Sequence, residues 1–211
     1  MQLIINILLS YLIGSISGSM VFGKLKGIDI RSMGSGNAGG TNAFRSVGPL
    51  FALGVVLIDI FKGIVAVKFI SGLVFVDLVP LDIEIVKILC GVFAVIGHVY
   101  PIYYNFKGGK GAGTLIGVIG VLFPQSIIFA LISWLITLTL TGFVGLGSMI
   151  SGVVLVITTA LLYPGGLYSP FGYFSIMMSL FIIYTHRSNI LRMYNGDENR
   201  FDKIMIFKKL F

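Results

Sequence analysis

Long apolar segments, broken by short polar clusters, run the whole length of the chain. Segments 3–23, 48–70, 85–104, 114–163 and 171–186 are apolar almost throughout, and a helix needs about 20 such residues to cross a hydrocarbon core. Apolarity is sustained, without the period-two alternation of a barrel strand, so helices are the spanning elements. Residues 114–163 carry no charge and are too many for one helix. Pro124 and the run from Gly142 to Gly147 are natural breaks, giving spans of about 114–124, 126–142 and 147–163. The first of these is only about 16 Å long at 1.5 Å per residue, so a half-spanning or re-entrant segment is the rival to a short crossing. Pro164-Gly165-Gly166 ends the last. The expectation is an all-α, polytopic integral membrane protein with about seven transmembrane helices in a single membrane domain, 1–211.

Charge sets the expected orientation. Lys and Arg number 15 against 8 acids, concentrated at 24–45, 107–110 and 187–209, and positive-inside bias puts all three stretches in the cytoplasm. The N-terminus then lies outside, the C-terminus is cytoplasmic, and the connection with Asp77, Asp82 and Glu84 is outside. An even number of crossings must separate 114 from 186, which three helices in 114–163 plus 171–186 supply. No basic region precedes the first segment and no clear cleavage site follows it, so it is read as a retained span. Charged residues are 11% of the chain against about 25% in soluble domains. The cations flank apolar spans and build no soluble basic face, so no nucleic-acid partner is expected. Cys90 is the single cysteine, which excludes an intrachain disulfide and reads as a small hydrophobe.

The polar clusters carry the candidate chemistry, because amides and ionisable groups near a bilayer core are functional candidates by default. In the first, Gly34, Gly36, Gly39 and Gly40 allow a backbone anion nest. Ser35, Asn37, Thr41 and Asn42 add neutral donors, and Arg45 adds a planar fork suited to phosphate. The second runs Gly97-His98 to Gly108-Gly109-Lys110-Gly111-Ala112-Gly113-Thr114. It fails the Walker A pattern, since Tyr104 and Gly111 stand where a Gly and a Ser or Thr are required. What remains is a glycine loop carrying Lys110 into a helix N-terminus, which attracts anions. His98 reads as a structural or supporting residue. Asp59 and Lys62, at i, i+3 spacing in the second span, read as an ion pair, the sharper alternative being Lys62 facing the site. In the third cluster His186 and Asn189 share a helix face and are site candidates, while Arg187 and Arg192 read as interfacial anchors.

Together the three stretches resemble the bacterial acyl-phosphate:glycerol-3-phosphate acyltransferase family, whose motifs GSGNxGATNxxR, GHxxPxxxxFxGGKGVAT and THRxNIxRLxxGxE are matched in order. Here they read Gly34–Arg45, Gly97–Thr114 and Thr185–Glu198, with Gly40 for Ala, Ala112-Gly113 for Val-Ala and Met193 for Leu. None of these departures removes a polar group. The resemblance implies transfer of an acyl group from acyl phosphate to the 1-hydroxyl of sn-glycerol 3-phosphate, giving lysophosphatidic acid and phosphate. It implies a seven-helix enzyme of the bacterial inner membrane working at the cytoplasmic face, in the first step of phospholipid synthesis, without cofactor or metal. Ser35, Arg45, Lys110, His186 and Asn189 are the implied site residues. Gly34, Gly36, Asn37, Thr41, Asn42, Gly108, Gly109 and Gly111 are the expected substrate- and phosphate-binding set, with Glu198 a structural anchor. The partners are glycerol 3-phosphate, acyl phosphate and membrane lipid; no motif bears on oligomeric state. There is no Ser-His-Asp set and no His-x4-Asp, because Tyr103 and Leu191 stand five positions after the two histidines. Catalysis by positioning and electrostatics at one divided site is therefore expected. The rivals are an anion transporter, which would place its site at the midplane between repeats, and a metal-dependent phosphatidyl-alcohol transferase, which would need a closely spaced set of aspartates.

Overall fold

The structure, a computed structural model, describes residues 2–73 and 82–206. Asp77 of the acidic connection and Lys208 and Lys209 of the basic tail lie outside them. The described residues form ten α-helices and no strand, in two compact units, Met1–Leu122 and Phe123–Phe211.

The first unit holds α1 (Gln2–Gly14), α2 (Gly18–Lys26), α3 (Gly40–Ser46), α4 (Pro49–Lys68), α5 (Ile83–Val99) and α6 (Ala112–Leu122), and α4 touches all the others. The pattern of α1 is inverted relative to a soluble helix. Asn6, Ser10 and Gly14 are buried, whereas Ile4, Leu8 and Leu12 are exposed. In lipid the hydrophobic effect does not hold helices together, so small and polar residues make the contacts and apolar ones face outward. The expected continuous helix over 3–23 is instead α1 and α2, bent by 42° at residues 15–17. A Cβ at Gly14 would strike the Ala94 backbone and one at Gly18 the Val55 backbone, so the chain is drawn tightly onto α5 and α4 on either side of the bend. At the bend the Ile16 carbonyl turns to accept from Lys62 Nζ at 2.7 Å.

The second unit holds α7 (Gln125–Thr141), α8 (Val144–Leu162), α9 (Pro170–Thr185) and α10 (Arg187–Tyr194). The expected break over Gly142–Gly147 is shorter. Gly142 closes α7 in the left-handed conformation (φ 75°), and α8 starts two residues later. Gly145 and Gly147 lie inside α8, where a Cβ would press on Asn189 and Trp134 respectively. Ser151 Oγ donates to the Ala130 carbonyl at 2.8 Å, joining α8 to α7. Phe123, Tyr163, Phe171 and Phe174 form an aromatic cluster in which Tyr163 stacks on Phe171 at 4.6 Å.

Pro49–Gly72, Ile83–Tyr104 and Val144–Leu162 are each long and apolar enough to cross a membrane, and the bent α1–α2 pair makes up to four. α6, α7 and α9 are apolar but shorter.

The α4–α6 contact is the closest of the first unit's glycine seams. A Cβ on Gly117 would strike the Ile60 carbonyl, and one on Gly63 the Thr114 carbonyl. Gly117→Val is expected to force the helices apart at about 1–3 kcal/mol, seen as a lower thermal midpoint in detergent. Gly72→Ala, which meets nothing within 4 Å, is expected to leave the midpoint unchanged. A native midpoint for Gly117→Val would refute the seam.

Candidate functional site

The first polar cluster folds around one side chain. Gly34 and Gly36 take positive φ (55° and 71°), a region glycine enters without steric penalty, and the loop they shape closes on Asn42 of α3. Asn42 Nδ2 donates to the carbonyls of Ile30 (3.0 Å), Met33 (2.9 Å) and Asn37 (3.0 Å). Its Oδ1 accepts from the Ser35 N–H at 2.9 Å. The expected phosphate donor Asn42 is therefore engaged with the loop's own backbone and holds its shape. Gly39 and Gly40 do not take positive φ. Gly40 instead allows close approach, since a Cβ there would meet the Val56 side chain of α4. Gly34, Ser35 and Gly36 are exposed, Asn37, Thr41 and Arg45 half-buried. Thr41 and Arg45, four apart on α3, share a face.

Two residues that sequence reasoning missed tie this loop down. Ser19 of α2 donates to the Ala38 carbonyl at 2.7 Å; the small-residue run from Gly14 to Ser19 was its only signal. Arg31 grips both oxygens of Asp29 and reaches the Tyr104 carbonyl at 3.2 Å. Hydrogen bonding to that guanidinium holds the Asp29 carboxyl below the usual carboxylate range.

The second cluster is pinned to the end of α5. The N–H groups of Gly108 and Gly109 donate to the carbonyls of Val99 (3.2 Å) and His98 (3.1 Å), so these two shape the loop and do not present their N–H groups to an anion. A Cβ on Gly108 would enter the His98 carbonyl, and one on Gly109 the His98 ring. Gly111 turns the chain at φ 92° into α6. The first-turn N–H groups of a helix have no acceptor within it. Those of α6, with half-buried Lys110 two residues ahead, are what the loop offers an anion.

α4 carries both clusters. Val56 faces Gly40, and Asp59 Cβ and the Ile60 carbonyl face Gly113 and Gly117 one turn later. The Asp59–Lys62 ion pair is present at 3.2 Å, with both side chains buried. Lys62 also bonds His98 Nδ1 (2.8 Å) and the Ile16 carbonyl (2.7 Å).

In the second unit the helix breaks at His186, which ends α9 and starts α10. His186 and Asn189 are nonetheless both buried and Arg187 exposed, the sidedness expected of a shared face. His186 Nδ1 lies 2.8 Å from the Ile182 carbonyl. A carbonyl only accepts, so Nδ1 carries a proton. Asn189 Nδ2 donates to Glu198 Oε1 at 3.1 Å, and Arg192 Nε to Glu198 Oε2 at 2.8 Å. Glu198 is buried and anchors the motif. Arg187 stacks on the Tyr184 ring at 4.5 Å. Arg192, expected as an interfacial anchor, is instead the partner of Glu198, because a buried carboxylate needs a cation. Among the described residues no group of three or more His, Cys, Asp and Glu could hold a metal ion.

The profile of the glycerol-3-phosphate acyltransferase family matches residues 4–196. A glycerol-3-phosphate acyltransferase of Bacillus subtilis (strain 168) is 42% identical over 199 residues, covering 94% of this chain and 97% of that one. One from Chlorobium limicola is 40% identical over 220 residues, covering 90% and 93%. Crystal structures of PlsY, an integral membrane glycerol 3-phosphate acyltransferase, are similar at 32% identity over 94% of this chain and 95% of that one. The TM-score is 0.79 for the glycerol 3-phosphate form and 0.77 for the lysophosphatidic acid form.

Asn42→Ala removes the clamp on the first loop and is expected to destabilise the protein by about 1–3 kcal/mol, the cost of stranding its partners. Amide hydrogen exchange at residues 34–37 should accelerate. Native protection there would show that the loop holds its shape without Asn42.

Proposed function

The chain belongs to the glycerol-3-phosphate acyltransferase family, and we propose that it transfers an acyl group from an acyl phosphate to the 1-hydroxyl of sn-glycerol 3-phosphate. The products are lysophosphatidic acid and inorganic phosphate, and the place is the cytoplasmic face of a bacterial inner membrane. The observation that carries the reading is the mounting of two basic, glycine-bearing motifs one turn apart on α4. One presents Arg45 from α3, the other Lys110 at the N-terminus of α6. Both substrates bring phosphate, and these are phosphate-binding chemistries of two kinds, a bidentate fork and a point charge backed by helix N–H groups.

The substrate hydroxyl oxygen attacks the acyl carbonyl carbon, and the bond from that carbon to the phosphate oxygen breaks. A mixed anhydride has a good leaving group, so no covalent acyl-enzyme is required. Arg45, Lys110 and the first-turn N–H groups of α6 hold phosphate, with Ser35, Asn37 and Thr41 as neutral side-chain donors. Gly34 and Gly36 shape the first loop and do not act as an anion nest, since the Gly36 N–H donates to the Met33 carbonyl at 3.0 Å and the Ser35 N–H to Asn42 Oδ1. His186 orients the hydroxyl, its ring held through Nδ1 by the Ile182 carbonyl, or takes the hydroxyl proton when the ring is neutral; a substrate phosphate is the alternative base. Asn189, held by Glu198, polarises the acyl carbonyl. Gly108 and Gly109 keep the second loop in register, and Asn42 the first. We read α6, α7 and α9 as the remaining crossings, giving seven, with the N-terminus outside and the C-terminus inside.

Arg45→Ala and Lys110→Ala are each expected to lower turnover about 10²–10³-fold, the loss on removing one positioned donor. Near-full turnover in both would overturn the reading. Purified protein given glycerol 3-phosphate with acyl phosphate, acyl-CoA or acyl carrier protein, without metal, tests the donor. Turnover with acyl-CoA alone would refute acyl phosphate, and uptake of glycerol 3-phosphate into liposomes without acyl transfer would favour a transporter.

A further inference from the structure

Lys62, Asp59 and His98 form a buried polar cluster inside apolar helices, and the reaction proposed above uses none of them. Lys62 Nζ has acceptors at 2.7 Å (Ile16 carbonyl), 2.8 Å (His98 Nδ1) and 3.2 Å (Asp59 Oδ1). An ammonium has three protons and accepts nothing, so His98 Nδ1 receives one of them and the ring proton sits on Nε2. Asp59 Oδ1 lies 3.4 Å from the same nitrogen, and the 2.8 Å contact with the ammonium is the shorter of the two. The Nε2 edge of the ring is the part nearest to where a Cβ on Gly109 would lie. The backbone of His98 holds the same glycine, its carbonyl accepting the Gly109 N–H at 3.1 Å.

We propose that His98 is a positioning residue for the phosphate loop: Lys62 locks its ring as the Nε2–H tautomer, and the ring props Gly109 so that Lys110 and the start of α6 are held where the loop can bind phosphate. The cluster reaches the first loop as well. The Gly18 N–H lies 3.4 Å from Asp59 Oδ1, and the next residue, Ser19, holds the Ala38 carbonyl at 2.7 Å. One buried ammonium thus braces the α1–α2 bend and the second glycine loop together, which gives a lysine and an aspartate in the middle of an apolar helix a structural role.

The inference rests on the reading of the second loop as a phosphate site, and two measurements separate the two. With only two histidines in the chain, nitrogen-15 spectra of histidine-labelled protein in micelles resolve both rings, and His98→Gln assigns them by deletion. His98 is expected as the neutral Nε2–H tautomer with Nδ1 as acceptor, whether or not the protein transfers acyl groups. A proton on Nδ1 would overturn the inference. For turnover, His98→Asn keeps an acceptor for Lys62 but cannot reach Gly109, whereas His98→Gln reaches it. His98→Asn is expected to raise KM for glycerol 3-phosphate about tenfold, below the roughly 10²-fold cost of a 1 Å misplacement, with kcat changed less. His98→Gln should recover most of that loss. Native KM in His98→Asn, or equal KM in both variants, refutes the prop. Absence of any acyl transfer by the native protein would refute the proposed function and leave the tautomer test standing.

Discussion

A lysine ammonium buried in the middle of an apolar helix sets the terms for the first unit. Such a group is tolerated only if every proton finds an acceptor, because an unpaired charge away from water costs far more than any single packing contact gains. Lys62 meets the requirement with a carboxylate from its own helix, an imidazole from α5 and a main-chain carbonyl at the α1–α2 bend. The carbonyl is available because the helix is broken there. The bend in the first apolar segment and the charge on α4 therefore explain each other. Breaking a buried pair by removing one partner typically costs about 3–5 kcal/mol, so the three elements are coupled.

Around that centre, glycine contributes mainly by having no side chain. Gly14 against Ala94, Gly18 against Val55, Gly63 against Thr114 and Gly117 against Ile60 let backbones come closer than any Cβ permits. In a membrane, where lipid is as apolar as leucine, this close approach supplies dispersion contacts that the hydrophobic effect cannot. Elsewhere glycine serves by taking positive φ, as at Gly34, Gly36, Gly111 and Gly142. The same residue type thus serves packing in the helices and conformation in the two glycine loops.

The polar residues of the motifs divide into those that build the loops and those to which the proposed reaction assigns chemistry. Asn42 stands in the middle of the first motif, yet its amide is engaged by the carbonyls of Ile30, Met33 and Asn37. Glu198 closes the third motif by gripping Asn189 and Arg192. In both, a segment with few apolar contacts is held in one shape by an internal polar core.

Much of this was legible in the residues alone. Sustained apolarity determined an all-helical membrane protein, the charge-free stretch after Thr114 had to be divided near Pro124 and Gly142, and the Asp59–Lys62 pair followed from i, i+3 spacing. These are properties of a helix and its nearest turns. What only the tertiary structure decided is where partners distant in sequence meet: Lys62 with His98 and Ile16, Asn42 with Ile30, Arg192 with Glu198 across the end of α10. It also decided that the first span is bent and that α9 stops at His186. Helical periodicity constrains residues three and four apart and says nothing of those on other elements. In an apolar medium those distant polar groups must find one another, and which ones do is settled only when the helices pack.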